Sequence, residues 1–190
     1  MRITGGSLRG RLINVPKGTS IRPTLDKVRQ AIFNILGDRI IGSAVLDLYS
    51  GSGSLGLEAL SRGAKSIHFV DKSKECIEKI KDNLTALKLN AHAVVRRADA
   101  MDIITDLERA REKFDSIFLD PPYYKDLAKK TLINISHCDI LSPDNVVVVE
   151  HHKMDSIPEK IEGLELRDDR KYGDTVVRFY EKTGCLSRKF

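Results

Sequence analysis

The sequence predicts an α/β fold in which a mostly parallel sheet carries helices on both faces. Three observations support this prediction. After Gly42, five short apolar runs alternate with segments that repeat their apolar residues at helical spacing. A glycine-rich turn directly follows the first run. The last two runs of the chain, 164–167 and 175–180, are too close together for a crossover helix, so we expect a closing antiparallel hairpin at the sheet edge.

The segment before this alternation is predicted to contain a short β-hairpin and one helix. Residues 2–15 form two strand-like runs around a turn at 7–10. Thr24 can cap a helix over about 25–36, and Gly37 is a suitable stop. Apolar residues at helical spacing form one stripe along this helix, which should pack on a core. The polar residues off the stripe, which should present their charges and amides to solvent, are Lys27, Arg29, Gln30 and Asn34.

The remaining elements follow from short apolar runs, which indicate strands, and from apolar residues at helical spacing, which indicate helices. The predicted strands are 45–48, 66–70, 92–96, 116–119 and 146–149, followed by the closing pair. Four helices are predicted between these strands. The first follows the glycine-rich turn and ends near residue 61, and the others span 74–87, about 100–107 and about 126–136. The chain should therefore consist of a basic N-terminal hairpin extension (1–22), a main domain (23–183) and a frayed tail (184–190).

Composition and charge restrict the classes of function. Hydrophobic residues make up 41% and charged residues 31%, which is normal for a globular protein. The formal net charge is +5, but residues 1–39 carry +6 and the rest of the chain carries −1. A basic segment on a near-neutral body is typical of a phosphate-binding arm, although a merely solvated surface would look the same.

Membrane, secretory and metal functions are not indicated. No apolar run reaches the length of a membrane span, and the first residues lack a signal-peptide core. The three cysteines, Cys76, Cys138 and Cys185, are too scattered for a disulfide framework or a zinc site, so a reducing cytoplasm is the expected compartment. His151 and His152 follow Glu150, but no further ligands stand at a suitable spacing, and we expect no metal.

The segment 47–56 predicts a nucleoside site. It contains G-x-G-x-x-G (Gly51, Gly53, Gly56) between a strand and a helix, where glycines let the backbone turn sharply and approach a ligand. Asp71 ends the next strand, 20 residues after Gly51, where its carboxylate can accept hydrogen bonds from both hydroxyls of a ribose. A nicotinamide dehydrogenase would fit these features equally well, and a tight turn with a capping aspartate is the structural alternative.

Two further features bear on the choice of class. Asp99 follows the third strand, where it can reach the amino group of an adenine or simply cap the next helix. Asp120-Pro121-Pro122-Tyr123 stands at the carboxyl end of the fourth strand, the edge at which open α/β sheets bind ligands. A nicotinamide oxidoreductase has no use for this string, and its structural alternative is a proline-rich turn that ends the strand.

This string suits the methylation of an amine on a nucleic acid base. The exocyclic amine is a poor nucleophile, because its lone pair is delocalised into the ring. If the Asp120 carboxylate and the Pro121 carbonyl each accept one N–H, the lone pair can turn toward a methyl donor. The Tyr123 ring can stack on a base held out of its helix. Since a sulfonium methyl donor already has a good leaving group, the work of the enzyme is mostly alignment with the neighbouring glycine-rich loop.

At this point the sequence resembles a known family. The glycine motif, Asp71, Asp99 and Asp-Pro-Pro-Tyr stand in the order seen in class I amino methyltransferases. From Arg2 to about Tyr180 the chain resembles the RsmD-type guanine-N2 methyltransferases of bacterial small-subunit (16S) ribosomal RNA. The segments that carry the narrower resemblance are 2–6, 9–11, 16, 22–29, 32–36 and 58–64. Lys27 and Gln30 depart from it, where an arginine and a glutamate are expected.

The resemblance implies a Rossmann-like fold with a seven-stranded sheet, and S-adenosylmethionine as the cofactor, leaving S-adenosylhomocysteine as product. It implies a small-subunit RNA substrate in an assembled or assembling particle, and we expect a monomer. The cofactor residues would be Asp47, Tyr49, Gly51, Gly53, Asp71, Lys72, Asp99, Ala100 and Asp120. The catalytic residues would be Asp120, Pro121, Pro122 and Tyr123, and the RNA contacts would be Arg9, Arg11, Arg22, Lys27 and Arg29.

Two other functions remain open from the sequence. The same Asp-Pro-Pro-Tyr would serve an adenine-N6 DNA methyltransferase, but the chain lacks the extra length usually spent on recognising a DNA sequence. A non-catalytic RNA-binding assembly factor could keep the fold, but the intact glycine turn and Asp120 speak against it.

Overall fold

The computed structural model describes residues 1–16, 26–123 and 126–183 of the chain. It contains two compact units, residues 1–99 and residues 100–190. Both are α/β, as the sequence predicted.

The first unit contains three parallel strands in the order β3-β2-β1, with helices between them. Its elements are α1 (Asp26–Leu36), a 3-10 turn (Gly37–Ile40), β1 (Ala44–Leu48), α2 (Ser54–Ser61), β2 (Ser66–Asp71), α3 (Lys74–Leu87), a second 3-10 turn (Asn90–His92) and β3 (Ala93–Arg97). The predicted bounds of these elements are confirmed to within one or two residues, and those of α3 coincide with it.

Helix α2 is buried along its whole length, because it is short, apolar and packed closely on β2. A Cβ atom added to Gly56 would lie 2.2 Å from both Ile67 Cδ1 and Phe69 Cε1. The helix backbone therefore lies directly against the strand, and the third glycine of the motif has a packing role.

The second unit pairs its strands in the order β4-β5-β8-β7-β6. Its elements are α4 (Ala100–Arg109), β4 (Phe114–Leu119), α5 (Leu127–His137), β5 (Leu141–His152), β6 (Lys160–Ile161), β7 (Leu164–Tyr172) and β8 (Thr175–Lys182). Strands β4 and β5 are parallel, whereas β8 is antiparallel to both β5 and β7. The closing antiparallel hairpin is thus confirmed, and it turns at Gly173 with φ +66°.

The number of strands differs from the seven implied by the resemblance, because the described residues contain eight. The additional strand, β6, is two residues long and pairs Lys160 with Glu165 and Ile161 with Leu164. Two residues carry no measurable periodicity, so the sequence alone could not indicate this strand.

The described part of the N-terminal extension pairs its two arms antiparallel, as expected for the predicted hairpin. Arg2 and Leu12 form a bridge, the Ile3 N–H donates to the Arg11 carbonyl at 3.0 Å, and the Ile13 N–H donates to the Met1 carbonyl at 2.8 Å. The turn between the arms also bonds to α2: the Ser7 N–H donates to the Ser61 carbonyl at 2.7 Å, and the Leu8 N–H donates to Ser61 Oγ at 2.9 Å. Gly6, with φ +74°, passes so close that a Cβ there would lie 1.9 Å from the Ser61 carbonyl oxygen. The predictions for 17–22, for Thr24 and for the tail 184–190 fall outside the described residues.

The prediction that Arg29 presents its charge to solvent is wrong, because its side chain is fully buried. Its guanidinium bonds to the Arg2 carbonyl and to Asp26, and Nε lies 3.3 Å from Glu58 Oε2. The extension meets α1 at Arg29, whereas Gln30 and Asn34, also off the apolar stripe, stay exposed. Lys27, in contrast, is exposed as predicted.

None of the helices in the described ranges has the length and apolar character that crossing a bilayer requires.

Candidate functional site

The glycine turn, defined here as residues 49–53, has a backbone that ordinary side chains rarely adopt. Tyr49, Gly51 and Gly53 have φ of 62°, 53° and 76°, all in the left-handed region. A Cβ on Gly53 would lie 3.0 Å from Ile80 Cγ1 and 3.2 Å from Phe69 Cε1. Glycine is therefore required at 53 for both conformation and space, as the motif predicted.

Two buried polar side chains hold the turn in shape. Asp47 Oδ2 accepts a hydrogen bond from the Gly56 N–H at 3.0 Å, which ties the end of β1 to the first turn of α2. Ser50 Oγ accepts from the Val70 N–H at 2.9 Å, which ties the turn to the end of β2. Asp47, only 1% exposed, thus shapes the turn through the main chain.

Asp71 lies beside the glycine turn with its carboxylate already oriented. Its Oδ2 accepts from the Gly51 N–H at 2.8 Å, and its Oδ1 accepts from the Ser73 N–H at 2.8 Å. A carboxylate has about four acceptor positions, so two more hydrogen bonds can be accepted from a vicinal diol. The backbone contacts fix the side chain in advance, which lowers the entropy cost of holding a ribose.

The end of β3 joins the same edge of the first unit. The Ala98 N–H donates to the Asp71 carbonyl at 3.2 Å, and Arg97 Nε donates to the Lys72 carbonyl at 3.2 Å. Asp99 follows one residue later and is exposed, as is Lys72. The structure therefore brings the turn, Asp71, Lys72 and Asp99 together at the carboxyl ends of three adjacent strands. Ala100 is buried as the first residue of α4, in the second unit.

The strand-tip motif, defined here as Asp120, Pro121, Pro122 and Tyr123, directly follows β4 in the second unit. Asp120 is half-buried, Pro121 is buried and Pro122 is exposed. The Tyr123 hydroxyl donates to Glu150 Oε1 at 3.1 Å and lies 3.2 Å from Thr175 Oγ1. Since Glu150 lies on β5 and Thr175 on β8, two neighbouring strands fix the position of the ring.

The surroundings of Tyr123 favour its neutral form. Burial raises the pKa of Tyr123, and the charge of Glu150 raises the pKa further. The ring also contacts His152, with centroids 5.7 Å apart and planes tilted by 52°. The Tyr123 hydroxyl therefore stays protonated and hydrogen-bonded to Glu150 and Thr175, which holds the ring in place.

A small cavity, open to solvent, lies against the strand-tip motif among described residues of the second unit. Pro121, Pro122 and Tyr123 line one side, and the first turn of α5 lines another. Glu150, His151 and residues 155–157 complete the lining. With the side chains as they stand, the enclosed part has room for about one water molecule, so a base would have to lie against the open side of the motif.

Sequence reasoning missed two features of this cavity, Glu150 and His151 as lining residues. Both lie in the buried end of β5, which the structure extends to His152, three residues beyond the predicted end at 149. The only available signal was the run Glu150-His151-His152, in which a metal site was considered and not expected. The described part of the chain holds no group of three or more possible metal ligands.

The cations predicted to contact RNA fall into three groups. Arg9, Arg11 and Lys27 are exposed on the extension and at the start of α1. Arg22 lies outside the described residues. Arg29 is buried in a structural ion pair, so it does not belong to the exposed basic surface.

The fold, together with the glycine turn beside Asp71 and the strand-tip motif after β4, is that of a class I methyltransferase. More narrowly, the chain belongs to the family described as Conserved hypothetical protein 95, whose profile matches residues 1–181. The family-level resemblance found in the sequence is thereby confirmed.

Individual proteins agree with this assignment. YlbH of Bacillus subtilis (strain 168) is 41% identical over 184 residues, which cover 97% of this chain and all of that protein. Ribosomal RNA small subunit methyltransferase D of Escherichia coli (strain K12) is 31% identical over 182 residues, covering 96% of this chain and 90% of that protein. The solved structure of yhhF from Escherichia coli superposes with a TM-score of 0.84 at 30% identity, covering 96% and 97% of the two chains.

Proposed function

We propose that this protein transfers a methyl group from S-adenosylmethionine to the exocyclic N2 amine of one guanine in bacterial small-subunit ribosomal RNA. The observation that carries the proposal is the strand-tip motif: Asp120 and Pro121 directly follow β4, and the neighbouring Tyr123 ring is anchored to Glu150 and Thr175. We propose RNA as the substrate because the E. coli relative is named as a ribosomal RNA methyltransferase. We propose guanine as the base because the sequence resembles guanine-N2 methyltransferases.

The first unit fits the nucleoside half of such a donor. Gly51 and Gly53 give the turn its left-handed backbone, and Asp71 presents a carboxylate that its backbone contacts have already oriented. In this proposal Asp71 binds the ribose hydroxyls, while Asp99 and Lys72 lie beside the adenine. When bound, S-adenosylmethionine supplies an activated methyl group on its sulfonium.

The residues of the second unit hold and activate the amine. The Asp120 carboxylate and the Pro121 carbonyl each accept one N–H of the guanine N2, so the nitrogen lone pair turns out of the ring plane. Tyr123 flanks the base and keeps it out of its RNA helix. As the N–C bond forms, the nitrogen becomes strongly acidic and its proton passes to Asp120, which needs no raised pKa for this step.

The RNA is bound electrostatically by the extension. Arg9, Arg11 and Lys27 are exposed and contact phosphates, with Arg22 as a further candidate from the sequence. The substrate we propose is small-subunit RNA in an assembled or assembling particle, met by a monomer in the cytoplasm.

The test is transfer of labelled methyl from S-adenosylmethionine to small-subunit RNA and to small-subunit particles, with DNA and free adenine-containing RNA compared in parallel. We expect label in the small-subunit RNA, at guanine N2 after nucleoside analysis. Label in DNA adenine would instead favour the adenine-N6 DNA methyltransferase. RNA binding without any transfer would favour a non-catalytic assembly factor.

Two variants locate the chemistry. Asp120→Ala should abolish transfer while S-adenosylmethionine still binds in calorimetry. Asp144→Ala changes an exposed aspartate at the far end of β5 and is the matched control, which should keep full activity. Retention of wild-type transfer by Asp120→Ala would overturn the mechanism.

A pair of charge reversals tests the RNA surface. Arg9→Glu with Arg11→Glu should raise the RNA concentration required and leave donor affinity unchanged. The matched control is Lys81→Glu with Lys171→Glu, two exposed cations elsewhere on the chain. Equal loss of RNA and donor binding would show that the extension acts only through the fold.

A further inference from the structure

Two turns of the second unit meet at the edge of the sheet that carries the strand-tip motif. The turn after β5, residues 153–155, bonds to the turn between β7 and β8. The Lys153 N–H donates to the Asp174 carbonyl at 2.8 Å, and Lys153 Nζ lies 2.9 Å from Asp174 Oδ1. Within the first turn, the Asp155 N–H donates to the His152 carbonyl at 2.9 Å. The two turns therefore form one fixed surface.

This surface lies next to Tyr123. The Tyr123 hydroxyl lies 3.2 Å from Oγ1 of Thr175, which is the cross-strand neighbour of both His152 and Tyr172. Residues directly opposite each other in antiparallel strands share a face of the sheet, so Tyr172 lies on the face that Tyr123 contacts. The Tyr123 ring also contacts His152 on that face. Lys171 lies on the other face, because side chains alternate along a strand.

Each turn presents one large side chain to solvent at this place. Met154 is 75% exposed, more than any other large apolar side chain of the described residues, and its N–H donates to His152 Nδ1 at 3.2 Å. Tyr172 is the last residue of β7 and is half-buried. These two side chains are called here the outer platform. A partner that covers them gains free energy, since apolar surface leaves water.

The charges beside the outer platform are paired with each other. Lys153 pairs with Asp174, and Arg170, two residues before Tyr172, pairs with Asp168 at 2.9 Å. A partner is therefore held here through flat apolar contact rather than through attraction of phosphates. Nucleic acid bases provide such contact, because they stack on aromatic and apolar side chains.

The proposed chemistry creates a need for such a surface. A guanine that leaves its helix exposes the faces of the nucleotides on either side, which lose their stacking partner. Resting on the function proposed above, we propose that the outer platform stacks on the base of a nucleotide that flanks the target guanine. It thereby holds the RNA open, while Asp120 and Tyr123 hold the guanine itself.

The test removes the flanking bases one at a time. The labelled guanine is first mapped in the wild-type reaction, and small-subunit RNA is then assembled by ligation with an abasic nucleotide on its 5′ side or on its 3′ side. On intact RNA, Tyr172→Ala should lower kcat/KM about fivefold to a hundredfold, the effect of one lost stack between a base and an aromatic ring. On one of the two abasic RNAs, variant and wild type should have nearly the same kcat/KM, because the base that the ring contacts is missing.

Further variants separate stacking from charge and from folding. Tyr172→Phe keeps the ring and should retain most of the activity, and Met154→Ala should lower kcat/KM on intact RNA. Ile41→Ala changes a 62% exposed side chain before the amino end of β1 and is the matched control, which should behave as wild type. The salt dependence of RNA binding should be unchanged in Tyr172→Ala, whereas Arg9→Glu with Arg11→Glu should reduce it. Circular dichroism and thermal unfolding verify that each variant is folded.

The outcomes separate the two proposals. If wild-type protein labels no guanine in small-subunit RNA, the proposed function fails and the platform with it. If guanine is labelled but folded Tyr172→Ala keeps wild-type kcat/KM, or loses the same factor on intact RNA and on both abasic RNAs, the function stands and the platform is refuted. A loss on small-subunit particles that is absent on naked RNA would indicate contact with a protein of the particle, which also refutes stacking on a base.

Discussion

Glu58 provides the sharpest test of how the extension is attached. Its side chain is fully buried on α2, and its two oxygens accept from the Thr4 N–H and the Thr4 hydroxyl, each at 2.8 Å. Oε1 also pairs with Arg62 Nε at 2.8 Å, and Oε2 lies 3.3 Å from Arg29 Nε. Glu58→Ala would remove all four contacts at once.

The loss of unfolding free energy in Glu58→Ala depends mainly on the Arg29 guanidinium, which would stay buried without this carboxylate. Arg29 has no exposed side-chain surface, and Asp26, whose side chain is 62% exposed, is the other carboxylate that the described residues place against it. Its contacts with the Met1 thioether and the Arg2 carbonyl carry no compensating charge. Removing one partner of a buried ion pair costs about 3–5 kcal/mol. For a chain of this size, that corresponds to a fall in Tm of roughly 6–20 °C.

The assay is urea and thermal unfolding followed by circular dichroism at 222 nm, since the chain contains no tryptophan. Glu78→Ala is the matched control, because Glu78 pairs with Lys74 on α3 and both side chains are more than half exposed. It should cost less than about 1 kcal/mol. In addition, Arg29→Met should cost less in the Glu58→Ala background than in wild type.

If Glu58→Ala and Glu78→Ala lowered the free energy of unfolding equally, the reasoning from burial would be refuted. If the free energy fell but Arg29→Met cost the same in both backgrounds, the loss would come from Thr4 and Arg62 rather than from the unpaired guanidinium.

The remaining predictions concern single contacts. Asp71→Asn should weaken S-adenosylmethionine binding about tenfold or more in calorimetry, because the ribose contact loses its charge and one of the two backbone N–H groups loses its acceptor. Unchanged affinity in the folded variant would contradict that role. Gly56→Ala should lower the free energy of unfolding by about 1–3 kcal/mol, since its Cβ overlaps the side chains beneath α2; a neutral result would contradict the close packing. Asn83→Ala should raise hydrogen exchange in residues 1–16 ahead of global unfolding, because its side-chain amide bonds both the N–H and the carbonyl of Asn14; exchange that rises evenly along the chain would contradict this. His151→Leu should reduce the loss of stability between pH 7 and pH 5. The pKa of His151 in the folded protein lies below the ordinary 6.5, so on acidification the unfolded chain takes up the proton first, which destabilises the wild type. Parallel curves of unfolding free energy against pH for the two proteins would contradict burial of a neutral ring.

Much of the fold could be predicted because periodicity and glycine placement act locally. The bounds of α3 follow from apolar residues at helical spacing, and the glycine turn follows from a motif whose positive φ angles only certain residues tolerate. The strand-tip motif is likewise contiguous in sequence. These features need no knowledge of which distant segment packs on them.

What could not be predicted depends on distant partners. Arg29 lies off the apolar stripe of α1, and only the docked extension, with Glu58 beneath it, makes burial of that charge tolerable. The docking of the turn of the extension on Ser61 likewise joins segments that are far apart in the sequence, which local periodicity does not show. His151 looked like a metal candidate because sequence shows neighbours along the chain, not the cavity wall that it shares with Tyr123.

The anchoring of Tyr123 has a consequence for how the protein matures during translation. One partner of its hydroxyl, Thr175, is 52 residues further along the chain. At about 5–20 residues per second, the ribosome needs roughly 3–10 s to synthesise that interval. All residues of the first unit have been synthesised at residue 99, so the contacts of the glycine turn with Val70 and Asp71 are available well before Tyr123 gains its partner on β8. Vectorial synthesis therefore completes the strand-tip motif later than the glycine turn.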